Sequence, residues 1–390
     1  MTAQRPRDAL FLTYTGLLEP LGVSQVLPYV RGLAARGHRM AILSFEKPAD
    51  PVALAETRRL LASEGIEWEA LRYHKRPPVV STMADVARGF LRAHAYLGRG
   101  VRLLHARAHV PALVAHALWR TRGVRFLFDH RGRMADEFAD AGIWPAGGVL
   151  YRAVERWERR FVRDAAATVV LTERLRQELG ETSARATVIP CAVDLAAFQP
   201  APPAAPREFD LVHAGSWSGL YLARETLRFF AAFRRLRPSA RLLLLVPGVS
   251  AIRDLPEGVE ARTVAPAAVP ALLARAGAGL SLRQPGRAQV AASPVKVSEA
   301  LACGLPVVST PGVGDLDTLV PGKRVGVVLR GLSDDDLRAA ARELIALQAD
   351  PVGLARRCRA LAEERYGLPS AVEAYDGIYR ALLARDTVRP

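Results

Sequence analysis

The sequence predicts an α/β protein made of two Rossmann-like, doubly wound parallel-sheet domains in tandem. Short apolar runs alternate with segments of helical period from end to end. A proline-rich stretch without periodicity, residues 193 to 209, interrupts that rhythm near the middle. With 390 residues, half of them hydrophobic, the chain can bury two cores.

In the first half, "ALFLTY" (9 to 14), "MAILSF" (40 to 45), "RLLHA" (102 to 106), "RFLFD" (125 to 129), "ATVVLT" (167 to 172) and "ATVIP" (186 to 190) read as strands buried on both faces. Between them, "VSQVLPYVRGLAARGH" (23 to 38) places Val26, Val30 and Leu33 on one helical face. "VLYRAVERWERRFVRDAA" (149 to 166) does the same with Leu150, Val154, Trp157 and Phe161. In the second half the expected strands are "FDLVHAG" (209 to 215), "RLLLLVP" (241 to 247), "VEARTV" (259 to 264), "AGLSL" (278 to 282), "PVVST" (306 to 310) and "VGVVL" (325 to 329). "SDDDLRAAARELIALQAD" (333 to 350) opens with an N-cap serine and an acidic first turn. The expected boundaries are 1–200 for the first domain, 201–370 for the second and 371–390 for a closing helix.

The net charge is +15, nearly all of it arginine, because lysine occurs only at Lys47, Lys75, Lys296 and Lys323. Residues 1 to 195 carry +9 of it, a balance that favours anionic partners. Zinc-finger spacing, aromatic–basic interleaving and a basic tail are all missing, so nucleic acid is not an expected partner. An anionic membrane surface is. No run reaches the length of a membrane span, and Cys191, Cys303 and Cys358 are too few and scattered for a disulfide framework, so the expected location is cytoplasmic. The arginine-rich helix around Trp157 reads as core packing with a solvated basic face. The basic loop "RYHKRPP" (72 to 78) is the better lipid-facing candidate.

Local chemistry concentrates in "SPVKVSEALACGLPVVST" (293 to 310). Ser293 is expected as N-cap, Pro294 as the first helical residue, and Gly304 as the stop before the next strand. Lys296 then falls in the first turn, where free N–H groups and the helix dipole already favour an anion, and Glu299 lies one turn on. Phosphate at the lysine and a diol at the glutamate would describe a nucleotide; a plain i,i+3 surface pair is the alternative. Neither "TYTGLLEPLGVS" nor "HAGSWSGLYL" contains G-x-G-x-x-G, which argues against a nicotinamide-dependent dehydrogenase.

Four segments in register resemble the family-4-like glycosyltransferases of the GT-B fold. "EPLGVSQVLPYVRGLAARGHRMAILSF" looks like their opening glycine loop and helix, and "VIPCAVDLAAFQP" is similar to their interdomain crossing, with Cys191-Ala192 where Asn-Gly is usual. "SPVKVSEALACGLPVVST" resembles their donor-site helix and "RYGLPSAVEAYDGIYRALL" their closing helix. The resemblance implies an acceptor domain and a nucleotide-sugar domain facing across a cleft, with the last helix crossing back. It implies retaining transfer of a hexose-type sugar to a glycan or lipid-linked acceptor in surface polysaccharide or glycoconjugate synthesis. The nucleoside-diphosphate sugar is then a co-substrate, no catalytic metal or other cofactor is needed, and the enzyme would sit peripherally on the cytoplasmic face of the inner membrane.

Carried onto this chain, the resemblance gives Glu299 the ribose hydroxyls and Lys296 the diphosphate, with Gly215 and Ser216 bordering it, Ser293 at the helix start, and the loop around Gly22 approaching a phosphate. Asp129, His130 and Arg131, at a strand end in "FDHRGRMADE", are the expected catalytic residues. Asp129 or His130 would contact sugar hydroxyls or acceptor, and Arg131 would bind phosphate or order Asp129; an Asp–Arg pair that only pins the loop is the alternative. His105 and Arg107 end a neighbouring strand and are weaker candidates. Two departures stand out. Many members have a sugar-contacting glutamate separated by seven residues from Glu299's equivalent, where this chain has Ala291. Many also have an arginine and a lysine after the first strand of the second domain, whereas "GSWSGLYLAR" has no cation before Arg224, which leaves Lys296 with help from Arg283 or Arg287. A sugar-nucleotide epimerase or a non-catalytic nucleotide-sugar-binding protein is the alternative function.

Overall fold

Each of the apolar runs named above becomes a strand, and every strand pairing within the two sheets is parallel. The computed structural model describes residues 7–202, 206–249 and 254–384. The first sheet contains β1 (Ala9–Thr13), β2 (Met40–Glu46), β3 (Glu67–Arg72), β4 (Leu103–Arg107), β5 (Arg125–His130), β6 (Ala167–Val170) and β7 (Ala186–Val188), in the order β3-β2-β1-β4-β5-β6-β7. The second contains β8 (Leu211–Ala214), β9 (Leu242–Leu245), β10 (Val259–Arg262), β11 (Gly279–Ser281), β12 (Val307–Ser309) and β13 (Gly326–Val328), in the order β10-β9-β8-β11-β12-β13. Strand order therefore reverses beside β1 and beside β8. Open α/β sheets bind ligands at the carboxyl ends of the strands at such points.

One strand escaped the apolar pattern. β3 is an edge strand in which Trp68 is buried while Glu67 pairs with Arg99 at 2.8 Å and Glu69 pairs with Arg92, so "EWEALR" has no apolar run to betray it. Two helices also depart from expectation. The segment 23 to 38 is not one helix but Pro20–Gln25 and Leu27–Ala35, broken at Val26 because Pro28 cannot donate to the preceding turn. Val26, Val30 and Leu33 are nonetheless all fully buried. In the helix Val149–Asp164 the buried residues are Tyr151, Phe161 and Val162, whereas Leu150 is exposed and Trp157 lies at the surface, stacked on Phe161 and under Arg160.

Both sheets are covered on both faces by apolar layers. One layer of the first sheet is completed by the far end of the chain: helix Leu368–Ala384 packs Val372, Tyr375, Tyr379 and Leu382 with Phe11, Val30 and Leu33. Gly32 makes this approach possible, since a Cβ there would stand 2.5 Å from Val372 Cγ2. The chain thus crosses between domains twice, side by side. Val193 N donates to Tyr366 O at 2.8 Å and Leu368 N donates to Val193 O at 3.1 Å. Arg359 fastens the linker by donating to the carbonyls of Phe198 at 2.7 Å and Leu195 at 3.1 Å.

Further bonds join the domain faces. Asp315 of the second domain accepts from the backbone of Glu173 and Arg174 at 2.9 and 3.1 Å, and Asp140 of the first accepts from Ala288 N at 3.0 Å. The carboxyl ends of β5 and β11 are brought toward one another by these contacts.

Candidate active site between the domains

The helix Val295–Ala302 starts differently from the expectation. Pro294 is the N-cap, with no side-chain cap, and the Ser293 hydroxyl instead accepts from Cys191 N across the domain boundary at 3.1 Å. Ser293 therefore ties the crossing peptide to the helix rather than capping it, and the first-turn N–H groups have no side-chain partner. Lys296 in that turn folds back under β8. Its ammonium lies 3.4 Å from the centroid of the Tyr221 ring, and a Cβ on Gly215 would stand 3.1 Å from Nζ. Gly215 has φ +116°, a conformation that favours glycine, and a side chain there would also crowd the end of Lys296.

Nothing among the described residues hydrogen-bonds the Lys296 ammonium. Burial, reinforced by the neighbouring Arg283, holds its pKa well below the ordinary lysine value. Glu299 also lacks a hydrogen-bond or ion-pair partner among the described residues, and burial pushes its carboxyl up to about 7. The two do not pair with each other, so the surface-pair alternative fails. An uncompensated buried charge costs several kcal/mol, of which a cation–π contact returns about 1–2. Both groups answer burial by shifting toward their neutral forms.

Gly215 and Ser216 are exposed at the rim. Beneath them, His213 Nε2 faces Ser216 O at 2.9 Å and Nδ1 faces Leu280 O at 3.3 Å, and burial drives its pKa down to about 3, so the imidazole is a neutral support. Arg283, just past β11, donates to Tyr221 Oη at 2.8 Å and to Gln289 Oε1 at 2.6 Å, while its backbone N–H donates to Thr310 Oγ1 at 3.0 Å. Tyr221 thus carries Lys296 on its ring and Arg283 on its hydroxyl. Arg287 turns away, toward Asp136 at 3.8 Å.

The first-domain candidates separate into two buried clusters. Asp129 is 2 % exposed and 3.5 Å from both Arg131 and His105, and the Arg131 guanidinium, helped by the His105 ring, holds it ionised, well below the usual carboxylate range, while burial lowers the pKa of His105 itself. Arg131 also reaches Gln25 Oε1 at 3.3 Å and Cys191 Sγ at 3.2 Å, and His105 Nδ1 meets Tyr379 Oη at 2.9 Å. Asp129 and Arg131 thus form a buried ion pair beside the crossing. Arg107 lies buried beside them, within 3.5 Å of Thr15 Oγ1. Gly22 serves its own loop: a Cβ there would meet Gly16 O at 2.0 Å.

His130 belongs to the second cluster. It is fully buried, 3.3 Å from Glu158, which His109 also contacts at 2.8 Å, and the two imidazoles hold Glu158 below the usual carboxylate range. The ligand atoms of His109, His130 and Glu158 lie within 4.8 Å of one another, the grouping among the described residues that could hold a metal ion. Close by is Glu137, on the helix Met134–Asp140, whose carboxyl is raised by burial. Tyr221, Gln289 and Glu137 were not singled out from the sequence. Glu137 and Tyr221 left only a trace there, as the last residue of "FDHRGRMADE" and inside "GSWSGLYLAR".

Residues 22–192 match the family of glycosyl transferase 4-like domains. No curated protein matches the sequence. Among solved structures, the chain is similar to sucrose-phosphate synthase from Thermosynechococcus elongatus, at 16% identity and TM-score 0.71, covering 97% of this chain and 100% of that one. It is similar to a glycosyltransferase from Rickettsia africae at 13% identity and TM-score 0.70, over 97% and 100% of the two chains. HepE of Anabaena in complex with UDP-glucose gives 16% identity and TM-score 0.70, over 96% and 99%. At these identities the likeness establishes a shared fold.

The unpaired ammonium yields a prediction about protons. A diphosphate beside Lys296 should raise the lysine pKa that burial lowered, so binding should be accompanied by proton uptake that grows as pH rises from neutral, where Glu299 is increasingly ionised. Calorimetric titration of a nucleoside diphosphate in two buffers of different ionisation enthalpy should show this uptake in the native protein and none in Lys296→Ala. Equal heats in both buffers for the native protein would place the diphosphate elsewhere.

Proposed function

We propose, from the match of residues 22–192 to the glycosyl transferase 4-like domain and from the GT-B fold, that the protein is a nucleotide-sugar-dependent glycosyltransferase. The reaction is retaining and metal-independent, and it moves a hexose-type sugar to a glycan or lipid-linked acceptor in surface polysaccharide or glycoconjugate synthesis. The observation that carries the reading is the buried, unpartnered ammonium of Lys296 at an uncapped helix start, one turn from an unpartnered Glu299. One nucleoside diphosphate supplies what both lack: phosphate oxygens for the lysine and ribose hydroxyls for the glutamate. The bond between the anomeric carbon and the diphosphate oxygen breaks, the acceptor oxygen bonds to that carbon on the same face, and the acceptor's proton passes to the leaving diphosphate. Lys296 stabilises the charge that grows on the leaving group.

The acceptor reading draws on the surface of the first domain. Asp85 pins the basic loop by accepting from Tyr14 Oη at 2.9 Å and His74 N at 3.0 Å, which leaves Lys75 and Arg76 exposed. Beside them the helix Pro78–Gly98 presents Val79, Val80 and Met83, each more than half exposed. Cations next to exposed apolar side chains suit the headgroup region of an anionic bilayer. Among the described residues no helix is long and apolar enough to cross a membrane.

Two outcomes are expected. Slow hydrolysis of the cognate nucleotide sugar should persist in chelator and fall roughly 30- to 1000-fold in Lys296→Ala, equivalent to about 2–4 kcal/mol of transition-state stabilisation. Undiminished turnover in that variant, or an absolute divalent-ion requirement, contradicts the mechanism. The protein should sediment with anionic liposomes at low ionic strength and be released by salt. Failure to sediment removes the membrane reading.

A further inference from the structure

The donor sugar lacks one holder that the second domain would be expected to supply. Position 291 is an alanine, fully buried in the 3-10 turn Arg287–Ala291. What packs on that turn is a helix of the first domain, Met134–Asp140, which carries three carboxylates facing the junction. Two are consumed by the contact itself. Asp140 accepts from Ala288 N at 3.0 Å, and its carbonyl accepts from Gln284 Nε2 at 3.1 Å. Asp136 accepts from Tyr151 Oη at 2.6 Å and pairs with Arg133 at 2.7 Å and Arg287 at 3.8 Å.

Glu137 is different. Among the described residues it has no hydrogen-bond or ion-pair partner, although its carboxylate is drawn in against the backbone of Gly132, where a Cβ would stand 2.2 Å from Oε1. It remains only partly buried, so its oxygens are not sealed in the core. Around it lie Arg283, His109 and His130, each near enough to favour its charged form, with Glu158 opposing, and burial outweighs them. Arg283 is also the guanidinium that approaches Lys296. Arg283 shares Tyr221 with Lys296 and donates to Gln289 of the turn on which the Glu137 helix packs, so the Lys296 site and that helix meet at the domain junction.

We propose that Glu137 holds hydroxyls of the donor sugar, supplying from the first domain the carboxylate that position 291 lacks. This rests on the glycosyltransferase reading of the Lys296 site and deepens it. A carboxylate accepts from two adjacent hydroxyls at once, and those bonds would complete a group that has no partner without ligand. Because Glu137 comes from the opposite domain, the sugar itself, unlike the nucleotide, would bridge the two domains and report their closure.

The test compares binding of free nucleoside diphosphates with that of the corresponding nucleoside-diphosphate glucoses, using the uridine and guanosine pairs, in the native protein, Glu137→Gln and Glu137→Ala. The ratio of the two dissociation constants isolates the sugar's contribution. We expect that ratio to shift against the sugar at least tenfold in Glu137→Ala and by less in Glu137→Gln. Affinity for the free diphosphate should stay within twofold, and neither variant should melt lower, because a carboxylate without a partner adds nothing to the fold. An unchanged ratio, or equal loss of both ligands with a fall in melting temperature, overturns the proposal and makes Glu137 a structural residue of the Gly132 loop. If the native protein binds neither free diphosphate, the reading of the Lys296 site itself fails, an outcome separate from any behaviour of Glu137.

Discussion

A charge removed from water must be answered by another charge or by hydrogen bonds, and the site is organised by where that answer is withheld. The Lys296 ammonium is enclosed by the Tyr221 ring and the backbone of Gly215 with no acceptor in reach among the described residues. Its surroundings are built to keep it there. Gly215 cannot carry a side chain, Tyr221 is fixed by Arg283, and Arg283 is fixed in turn by Gln289 and by Thr310 at the end of β12. A chain of ordinary hydrogen bonds thus holds one side chain in a position that costs free energy until an anion arrives.

The first domain shows the opposite arrangement a short distance away. Asp129 is buried, yet Arg131 and His105 flank it, and Glu158 is likewise flanked by His109 and His130. These clusters are balanced without ligand, and their work is positional. Arg131 reaches the Cys191 sulfur, the Cys191 N–H donates to Ser293, and Ser293 precedes the helix that carries Lys296. Through Tyr379 and His105 the same network takes in the closing helix. Charge-paired groups therefore set the relation between the domains, although His105 Nε2, Arg107 Nε and both ring nitrogens of His130 have no hydrogen-bond partner among the described residues.

How much of this was legible in the sequence depends on range. Strands buried on both faces announce themselves as apolar runs, and the partly buried edge strands β7 and β10 were still legible from short β-branched stretches continued beyond them. β3 was not, because an edge strand covered on one face by ion-paired glutamates has neither run nor clean alternation. Lys296 and Glu299 were legible because their relation is fixed by one helical turn. Tyr221, Gln289 and Glu137 owe their places to contacts between β8, β11 and a first-domain helix, and nothing in local spacing encodes those. Ser293 shows the converse: a residue with good capping chemistry found its acceptor role across a domain boundary more than a hundred positions away instead.

The account stands or falls on where a diphosphate sits. A crystal structure of the protein with a bound nucleoside diphosphate tests it most directly. The account predicts phosphate oxygens within hydrogen-bonding distance of Lys296 Nζ and the ribose hydroxyls on the Glu299 carboxylate, with Tyr221 still beneath the ammonium. Phosphates bound at Arg107 and Arg131 of the first domain, with Lys296 still unpartnered, would contradict it.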